Sequence, residues 1–160
     1  MQVKAVMTGT PCSCQAATNV AAAMEMMWKV NCGFLPVVEA DGRVCGVVTD
    51  RDICMALGTR DVTSGALKVG EVCQRHVFSC REDDDIHIAL QTMKEVRVRR
   101  LVVVDTENRL CGVLSMDDIL LHAEPSRLDR EPELSADEVV RTCQNIMRNE
   151  KPSTTKKVGA

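Results

Sequence analysis

Aromatic side chains are almost absent from this chain of 160 residues, which contains one tryptophan, two phenylalanines and no tyrosine. Domains that bind single-stranded nucleic acid stack the bases on several exposed rings, so this composition argues against that class. A strong charge of one sign is missing too, since 20 basic and 23 acidic residues leave a net charge of −3. We therefore expect no nucleic-acid partner and no binding to an anionic membrane surface.

Long apolar runs are also missing. Those present, such as residues 21–24, are far shorter than the roughly 18 residues that a membrane span requires. The first residues lead into no apolar segment of a signal peptide, and the nine cysteines are an odd number. Both features predict free thiols in a reducing cytoplasm.

The sequence offers little for catalysis. A chain of this length is too short for an active-site barrel of about 250 residues. Its three histidines are scattered, and no Ser-His-Asp or Cys-His arrangement can be argued from them. Cys12 and Cys14 are close in sequence, but a structural zinc site needs a second pair of ligands. We expect no enzyme, no metal and no required cofactor, with most cysteines acting as small buried hydrophobic residues.

The chain contains an internal repeat, and its hydrophobic residues, 45% of the sequence, follow the same pattern in both copies. Residues 3–54 align without a gap with residues 69–120, at an offset of 66, and 16 of the 52 aligned pairs are identical. Random pairing at this composition would give only a few identities, so the chain contains a duplication. Each copy has the pattern of a short extended segment, a helix with an apolar stripe, two strands joined by a turn and a second helix.

Polar residues before each apolar stripe predict where the first helix of each copy begins. Thr18 or Asn19 is expected to cap this helix in the first copy, and Asp83 or Asp84 is expected to cap it in the second. A single copy leaves one face of its sheet uncovered, so two copies are expected to pack face to face.

The chain divides into four parts. We predict the first unit over residues 1–58, a linker over 59–68, the second unit over 69–124 and a C-terminal extension over 125–160. Within the extension, Ser135 precedes a helix expected over about 135–149, whose narrow apolar stripe covers either the chain's own helices or a second subunit. Residues 151–160 have the composition of a mobile tail.

Each unit closes with a related motif, Gly-Val-Val-Thr-Asp-Arg-Asp-Ile at 46–53 and Gly-Val-Leu-Ser-Met-Asp-Asp-Ile at 112–119. Together with Val-Met-Thr at 6–8 and the strand at 34–39, these motifs resemble a pair of cystathionine β-synthase (CBS) domains, the Bateman module. The resemblance implies an α/β (α+β) fold of tandem β-α-β-β-α repeats packed as a pseudo-twofold pair, with a C-terminal helix added.

The same resemblance implies a function. The chain is expected to be a stand-alone regulatory module that binds an adenosine-containing ligand, namely AMP, ADP, ATP, S-adenosylmethionine or NAD, between its two units. It would signal to an unknown effector protein and form a homodimer, since such modules often pair into a flat disc.

Two motif residues in each unit are implied to contact the ligand. Asp52 and Asp118 would accept hydrogen bonds from the ribose hydroxyls, because a carboxylate offers two acceptor oxygens to a diol. Thr49 and Ser115 would lie on the phosphate side, where a helix N-terminus favours anions. The same Ser/Thr-x-x-Asp spacing also forms a capping box that only starts a helix, and this alternative stays open.

The resemblance distributes the remaining site residues between two clefts. The first cleft would combine Thr49 and Asp52 with His76, Val77, Phe78 and the run 97–100, which includes Arg99 and Arg100. The second cleft would combine Ser115 and Asp118 with Thr10, Pro11, Cys12 and the run 32–34, which includes Gly33 and Phe34.

The two clefts are expected to differ in charge. Arg99 and Arg100 are assigned to the first cleft alone, and guanidinium groups bind phosphate oxygens in pairs, so this cleft is expected to accept polyphosphates. The alternative is a solvated cationic cluster that complements the dipole at the end of a helix with an acidic start.

Two other classes of function compete with ligand sensing. In one, both Thr/Ser-Asp pairs are only helix caps and the chain is a ligand-independent dimerisation scaffold. In the other, which has less support, the cysteines form a redox or metal centre.

Overall fold

The computed structural model describes residues 1–126 and 132–148. The predicted tail at 151–160 and the last residue of the predicted C-terminal helix lie outside these ranges. The described residues contain two short 3-10 turns, Val3–Ala5 and Val69–Glu71. The helices are α1 (Val20–Lys29), α2 (Asp50–Thr59), α3 (Ile86–Val96), α4 (Met116–His122) and α5 (Ala136–Met147). The strands are β1 (Thr8–Gly9), β2 (Phe34–Val38), β3 (Val44–Thr49), β4 (Ser79–Arg81), β5 (Arg100–Val104) and β6 (Leu110–Ser115).

The helices begin at side chains that bind free backbone N–H groups. Asn19 caps α1, as one of the two predicted alternatives, and accepts a hydrogen bond from the N–H three residues later at 2.8 Å. The cap of α3 is Asp85, so the prediction of Asp83 or Asp84 was wrong. Asp84 instead accepts from the Arg81 N–H at 2.7 Å and closes the turn after β4, which delays the start of the helix.

Each unit contains one antiparallel hairpin, β2–β3 in the first and β5–β6 in the second. Both hairpins carry a bulge at equivalent positions, because Cys45 and Cys111 each add one residue to the second strand. In the second unit β4 pairs in parallel with β5, and β1 pairs antiparallel with β6. In the first unit the equivalent pairings are single bridges, made by Cys14 and Gln74.

The two repeats exchange their N-terminal segments. Strand β1 belongs to the first repeat but pairs with β6 of the second, and Gln74 of the second repeat pairs with Val47 of the first. The equivalent residues Val3 and Val69 are both fully buried, each in the core of the other repeat. Each core is therefore complete only when both repeats are present.

The hairpins meet back to back between the two cores. Val44, Val102 and Val104 are buried there. At the turns, the Val44 N–H donates to the Asn108 carbonyl and the Leu110 N–H donates to the Gly42 carbonyl, both at 3.0 Å. Equivalent residues make these two bonds, so an approximate twofold axis runs between the hairpins. Gly42 and Asn108 both have positive φ, a conformation that glycine and asparagine tolerate.

Helix α5 packs against α3 and α4 of the second unit. Val139 and the preceding Leu134 are buried in that core, so the predicted apolar stripe covers the chain's own helices. The stripe is only partly buried, because Val140 and Met147 remain exposed. No helix in the described ranges is both long and apolar enough to cross a membrane.

A histidine links α5 to α3. The two ring nitrogens of His87 each lie 3.0 Å from an oxygen of the C-terminal segment, Nδ1 from Glu138 Oε1 and Nε2 from the Glu133 carbonyl. The hydrogen bond to the Glu138 carboxylate raises the pKa of His87, and Asp85 adds to the negative charge around the ring, while partial burial opposes the shift. Protonation of His87 therefore stabilises the docked position of α5.

The free energy of unfolding should depend on pH through this contact. A raised pKa in the folded state means that the contribution is complete below the ordinary histidine pKa of 6.5 and is lost as pH rises through the folded value. We expect His87→Gln to destabilise the protein more at about pH 5.5 than at about pH 8.5, by less than about 1 kcal/mol because both side chains are partly exposed. Denaturant titrations of wild type and variant measure this difference.

The control is His122→Gln, because the His122 ring contacts the Asp118 carbonyl of its own helix. A stability difference between wild type and His87→Gln that does not change with pH would contradict the prediction.

Candidate functional site

The Thr-Asp and Ser-Asp pairs both form complete capping boxes. Asp52 Oδ2 accepts from Thr49 Oγ1 at 2.6 Å and from the Thr49 N–H at 3.0 Å, and the Asp52 N–H donates back to Thr49 Oγ1 at 3.2 Å. Ser115 and Asp118 repeat this arrangement at 2.5, 2.9 and 3.1 Å. One oxygen of each carboxylate thus serves the helix, and the other, Oδ1, takes no part in the capping box.

The second oxygen of each carboxylate faces an exchanged segment. Gln74 Nε2 donates to Asp52 Oδ1 at 3.1 Å, and Thr8 Oγ1 lies 3.5 Å from Asp118 Oδ1. Thr8 and Gln74 are equivalent at the offset of 66. Gln74 was not predicted for the site, although its alignment with Thr8 of the Val-Met-Thr motif was a usable signal.

The first cleft has a volume of about 450 Å³. It brings together six of its predicted residues, Thr49, His76, Phe78, Val98, Arg99 and Arg100. Asp52 is not among its lining residues, but Asp52 is hydrogen-bonded to Gln74, which lines it. The His76 and Phe78 rings pack edge to face with centroids 4.6 Å apart. Val77 does not line this cleft but packs into the apolar layer between the hairpins. Its further lining residues are Phe34, Val47 and Gln74.

The second cleft has a volume of about 390 Å³. Gly33 does not line it: a side chain on Gly33 would place its Cβ 2.4 Å from Asp50 Oδ2, so the glycine allows the backbone to approach the start of α2. The predicted residues that do line it are Thr10, Pro11, Cys12, Cys32, Phe34, Ser115 and Asp118. The lining residues that were not predicted for it include Thr8, Asn31, Arg100, Val113 and Asp117.

The assignment of Arg100 to the first cleft alone was wrong. Arg100 lines both clefts, and so does Phe34, which was predicted for the second. The Arg100 guanidinium carbon lies 5.9 Å from the centre of the Phe34 ring, within the range of a cation–π contact. The clefts still differ in charge, because Arg99 lines only the first and Asp117 only the second.

Arg97 lines neither of these clefts. It ends α3 in a left-handed conformation with φ of 56°, and its Nη1 atom is buried without a hydrogen-bond partner among the described residues. Its equivalent, Asn31, has the same backbone conformation and lines the second cleft.

The nine cysteines are all free thiols. Burial raises the pKa of Cys14 to about 11 and that of Cys80 to about 12, so both thiols are protonated at neutral pH. Cys12 lines the second cleft. In the part of the chain that the structure describes, no three side chains of His, Cys, Asp or Glu are arranged to hold a metal ion.

The family model described as CBS domain matches residues 3–59 and 69–124. The chain therefore belongs to the CBS domain family, and the resemblance and the expected α+β fold of tandem repeats are confirmed. An inosine-5'-monophosphate dehydrogenase of Methanocaldococcus jannaschii is 33% identical over 102 residues, covering 64% of this chain and 19% of that protein. The chain spans about a fifth to a quarter of the length of the first curated relatives that it matches.

Two solved structures show the same fold. The CBS domain pair of protein MJ0100, in complex with 5'-methylthioadenosine and S-adenosyl-L-methionine, has a TM-score of 0.67 at 24% identity, and the match covers 74% of this chain and 92% of that chain. The CBS domain protein PAE2072 from Pyrobaculum aerophilum, complexed with AMP, has a TM-score of 0.67 at 22% identity, with coverage of 74% and 90%.

The capping role of these motifs can be measured without a ligand. Replacing the cap residue in Thr49→Ala or Ser115→Ala should lower the free energy of unfolding by about 1 kcal/mol in each case. Gln74→Ala should change it by less than about 0.5 kcal/mol, because Gln74 is exposed and lies outside the cap. Denaturant titration measures all three, and a loss in Gln74→Ala equal to that in Thr49→Ala would show that Gln74 has a structural role.

Proposed function

We propose that this chain is a regulatory module that binds an adenosine-containing ligand between its repeats and transmits the bound state to a partner protein. The observation that carries the proposal is that each repeat presents a carboxylate with one oxygen outside its capping box beside a cleft shared with the other repeat. Both cleft volumes lie in the usual range for small-molecule sites, roughly 300–1,000 Å³. The ligands of MJ0100 and PAE2072, all of which contain adenosine, support this ligand class.

In the first cleft, Asp52 Oδ1 would accept a hydrogen bond from a ribose hydroxyl. The side chain of Gln74 would either turn away from Oδ1 or donate to it together with the hydroxyl. Apolar side chains such as Phe78 and Val98 offer a surface for the adenine ring. Arg99 and Arg100 would bind phosphate oxygens. This cleft therefore favours an adenosine phosphate.

In the second cleft, Asp117 and Asp118 lie close to the only guanidinium among its described lining residues, that of Arg100. A second carboxylate repels phosphate and attracts a cation. This cleft therefore favours a neutral or cationic adenosyl compound, and S-adenosylmethionine, which carries a sulfonium, has the required chemistry.

A bound ligand would contact both repeats at once, since Gln74 and Asp52 come from different repeats. It would therefore stabilise one relative arrangement of the two repeats over another. A partner protein can respond to the ligand only through such a difference in stability.

CBS domain pairs are generally regulatory, which supports a role without catalysis. The free thiols support a reducing, cytoplasmic location.

Ligand binding is tested by calorimetry with adenosine, AMP, ADP, ATP and S-adenosylmethionine. We expect Asp52→Ala to weaken binding of the nucleotides about ten- to hundred-fold, because a charged hydrogen bond is worth about 1.5–3 kcal/mol. Asp118→Ala should weaken nucleotide binding less, because Arg99 serves only the first cleft.

Arg99→Ala should reduce affinity for ADP more than for adenosine, and this difference should shrink at high salt.

Asp50→Ala is the control for these variants, since Asp50 also lies in the first turn of α2 but lines neither cleft. Equal losses in Asp52→Ala and Asp118→Ala would contradict the proposed asymmetry. No binding by the wild type would favour a ligand-independent scaffold.

A specific observation also favours self-association, and we propose a homodimer formed through the first unit. Trp28 is 88% exposed and lies near the exposed Met24 on α1, while Met55 is exposed on the adjacent α2. In the second unit α5 covers the equivalent face of α3, where Leu90, the counterpart of Met24, is buried. The uncovered apolar face of the first unit is thus the surface that a second copy would bury.

Equivalent substitutions in the two units test this dimer. Met55 and Leu121 occupy the same position in α2 and α4, and both are exposed. We expect wild type and Leu121→Glu to sediment at about twice 17.6 kDa and Met55→Glu at 17.6 kDa. Emission of the single tryptophan should shift to longer wavelength when Met55→Glu exposes Trp28. Wild type sedimenting at 17.6 kDa at micromolar concentration would refute the dimer.

A further inference from the structure

The two clefts share a wall made of two equivalent residues. Phe34 opens β2 and Arg100 opens β5, and they align at the offset of 66. Both side chains line both clefts, and they are stacked on each other at 5.9 Å. The duplication thus placed one ring and one cation beside its twofold axis, where an exact repeat would have two of the same residue.

The strand ladders hold the backbones of this pair in place. Phe34 pairs with Thr49 and Arg100 pairs with Ser115, so each residue lies opposite the cap residue of its own hairpin. The Arg100 side chain is only partly buried, and the structure gives its guanidinium no salt bridge to a described residue. The guanidinium is therefore able to turn toward either cleft without movement of the sheet.

The charge of the second cleft depends on where this guanidinium lies. Asp117 and Asp118 line that cleft, and Arg100 is the one Lys or Arg side chain among its described lining residues. The first cleft keeps Arg99 when Arg100 turns away. A phosphate in the first cleft that binds Arg100 would leave the second cleft with two carboxylates and no guanidinium.

We propose that Arg100 couples the two clefts, so that a phosphate-bearing ligand in the first cleft excludes a second phosphate-bearing ligand and leaves the second cleft selective for neutral or cationic adenosyl compounds. One guanidinium binds one phosphate in the paired geometry that makes the contact strong. The coupling is reciprocal, because an anion held by Arg100 in the second cleft must weaken anion binding in the first by the same factor. This inference rests on the proposed function, since it needs ligands in both clefts.

The coupling is tested with AMP and adenosine in calorimetric titrations. The affinity of the second cleft for AMP is measured in wild type and in Asp52→Ala. In wild type it is the weaker of the two binding steps, and in Asp52→Ala binding to the first cleft is weakened. We expect about ten-fold tighter binding to the second cleft in Asp52→Ala, because Arg100 is then free to serve it. Adenosine carries no phosphate and should bind the second cleft equally in both proteins.

Two further variants identify the residue responsible. In an Arg100→Gln background, Asp52→Ala should no longer change the affinity of the second cleft for AMP. Arg99→Gln should weaken the first cleft and leave the coupling in place, because Arg99 lines only that cleft. Arg100→Lys keeps a cation at this position and serves as a second variant if Arg100→Gln has a lowered thermal midpoint.

The outcomes separate this inference from the function on which it rests. AMP binding at both clefts, with the second equally strong in wild type and Asp52→Ala, would overturn the coupling and leave ligand sensing intact. A coupling that persists in Arg100→Gln, or equal coupling with adenosine, would also overturn it. No binding of any adenosyl compound to the wild type would overturn both.

Discussion

The exchange of N-terminal segments holds the two repeats together and also builds the clefts. Val3 and Val69 are each fully buried in the core of the other repeat, and burying a side chain of this kind is worth roughly 1.5–3 kcal/mol. The same crossing carries Thr8 to Asp118 and Gln74 to Asp52. Because the first and second clefts both have walls from the two repeats, a ligand that fills either cleft would contact both repeats.

The capping and ligand-binding interpretations of the Thr/Ser-Asp motifs do not exclude each other. Oδ2 of Asp52 holds the start of α2, which fixes the direction of the carboxylate and directs Oδ1 to Gln74, a lining residue of the first cleft. A carboxylate oriented by two hydrogen bonds to its Oδ2 loses little conformational freedom when a ligand binds, so the cap prepares the binding group. Ser135 caps α5 by a similar motif, but its partner Glu138 contacts His87 and lines neither cleft between the repeats. The motif alone therefore does not place a carboxylate beside a shared cleft, and its position in the repeat does.

The elements of this fold could be predicted from the sequence because they depend on local patterns and on the duplication. Local patterns did not predict contacts between distant segments, and only the family resemblance brought His76 and Phe78 to the cleft of Thr49. Nothing local shows that β1 crosses to the second repeat, and without that crossing Gln74 has no reason to lie near Asp52. Arg100 was placed in one cleft because alignment assigns a residue to one repeat, whereas a side chain beside the twofold axis lies against both. The start of α3 was missed because three consecutive aspartates satisfy the cap preference equally, and the turn after β4 selects the third.

The two repeats keep the same backbone and differ where their shared surfaces meet ligands or other helices. Asp85 and Asn19 cap equivalent helices, and both hairpins bulge at the same cysteine, so the scaffold has been retained. Arg100 against Phe34 and Gln74 against Thr8 are among the differences that the clefts contain. Helix α5 adds a third, because it packs against α3 of the second repeat, where Leu90 is buried, while the counterpart Met24 on α1 is exposed. A pair of identical repeats would have two equal clefts and two equal outer faces, and each of these differences removes that equality at one surface.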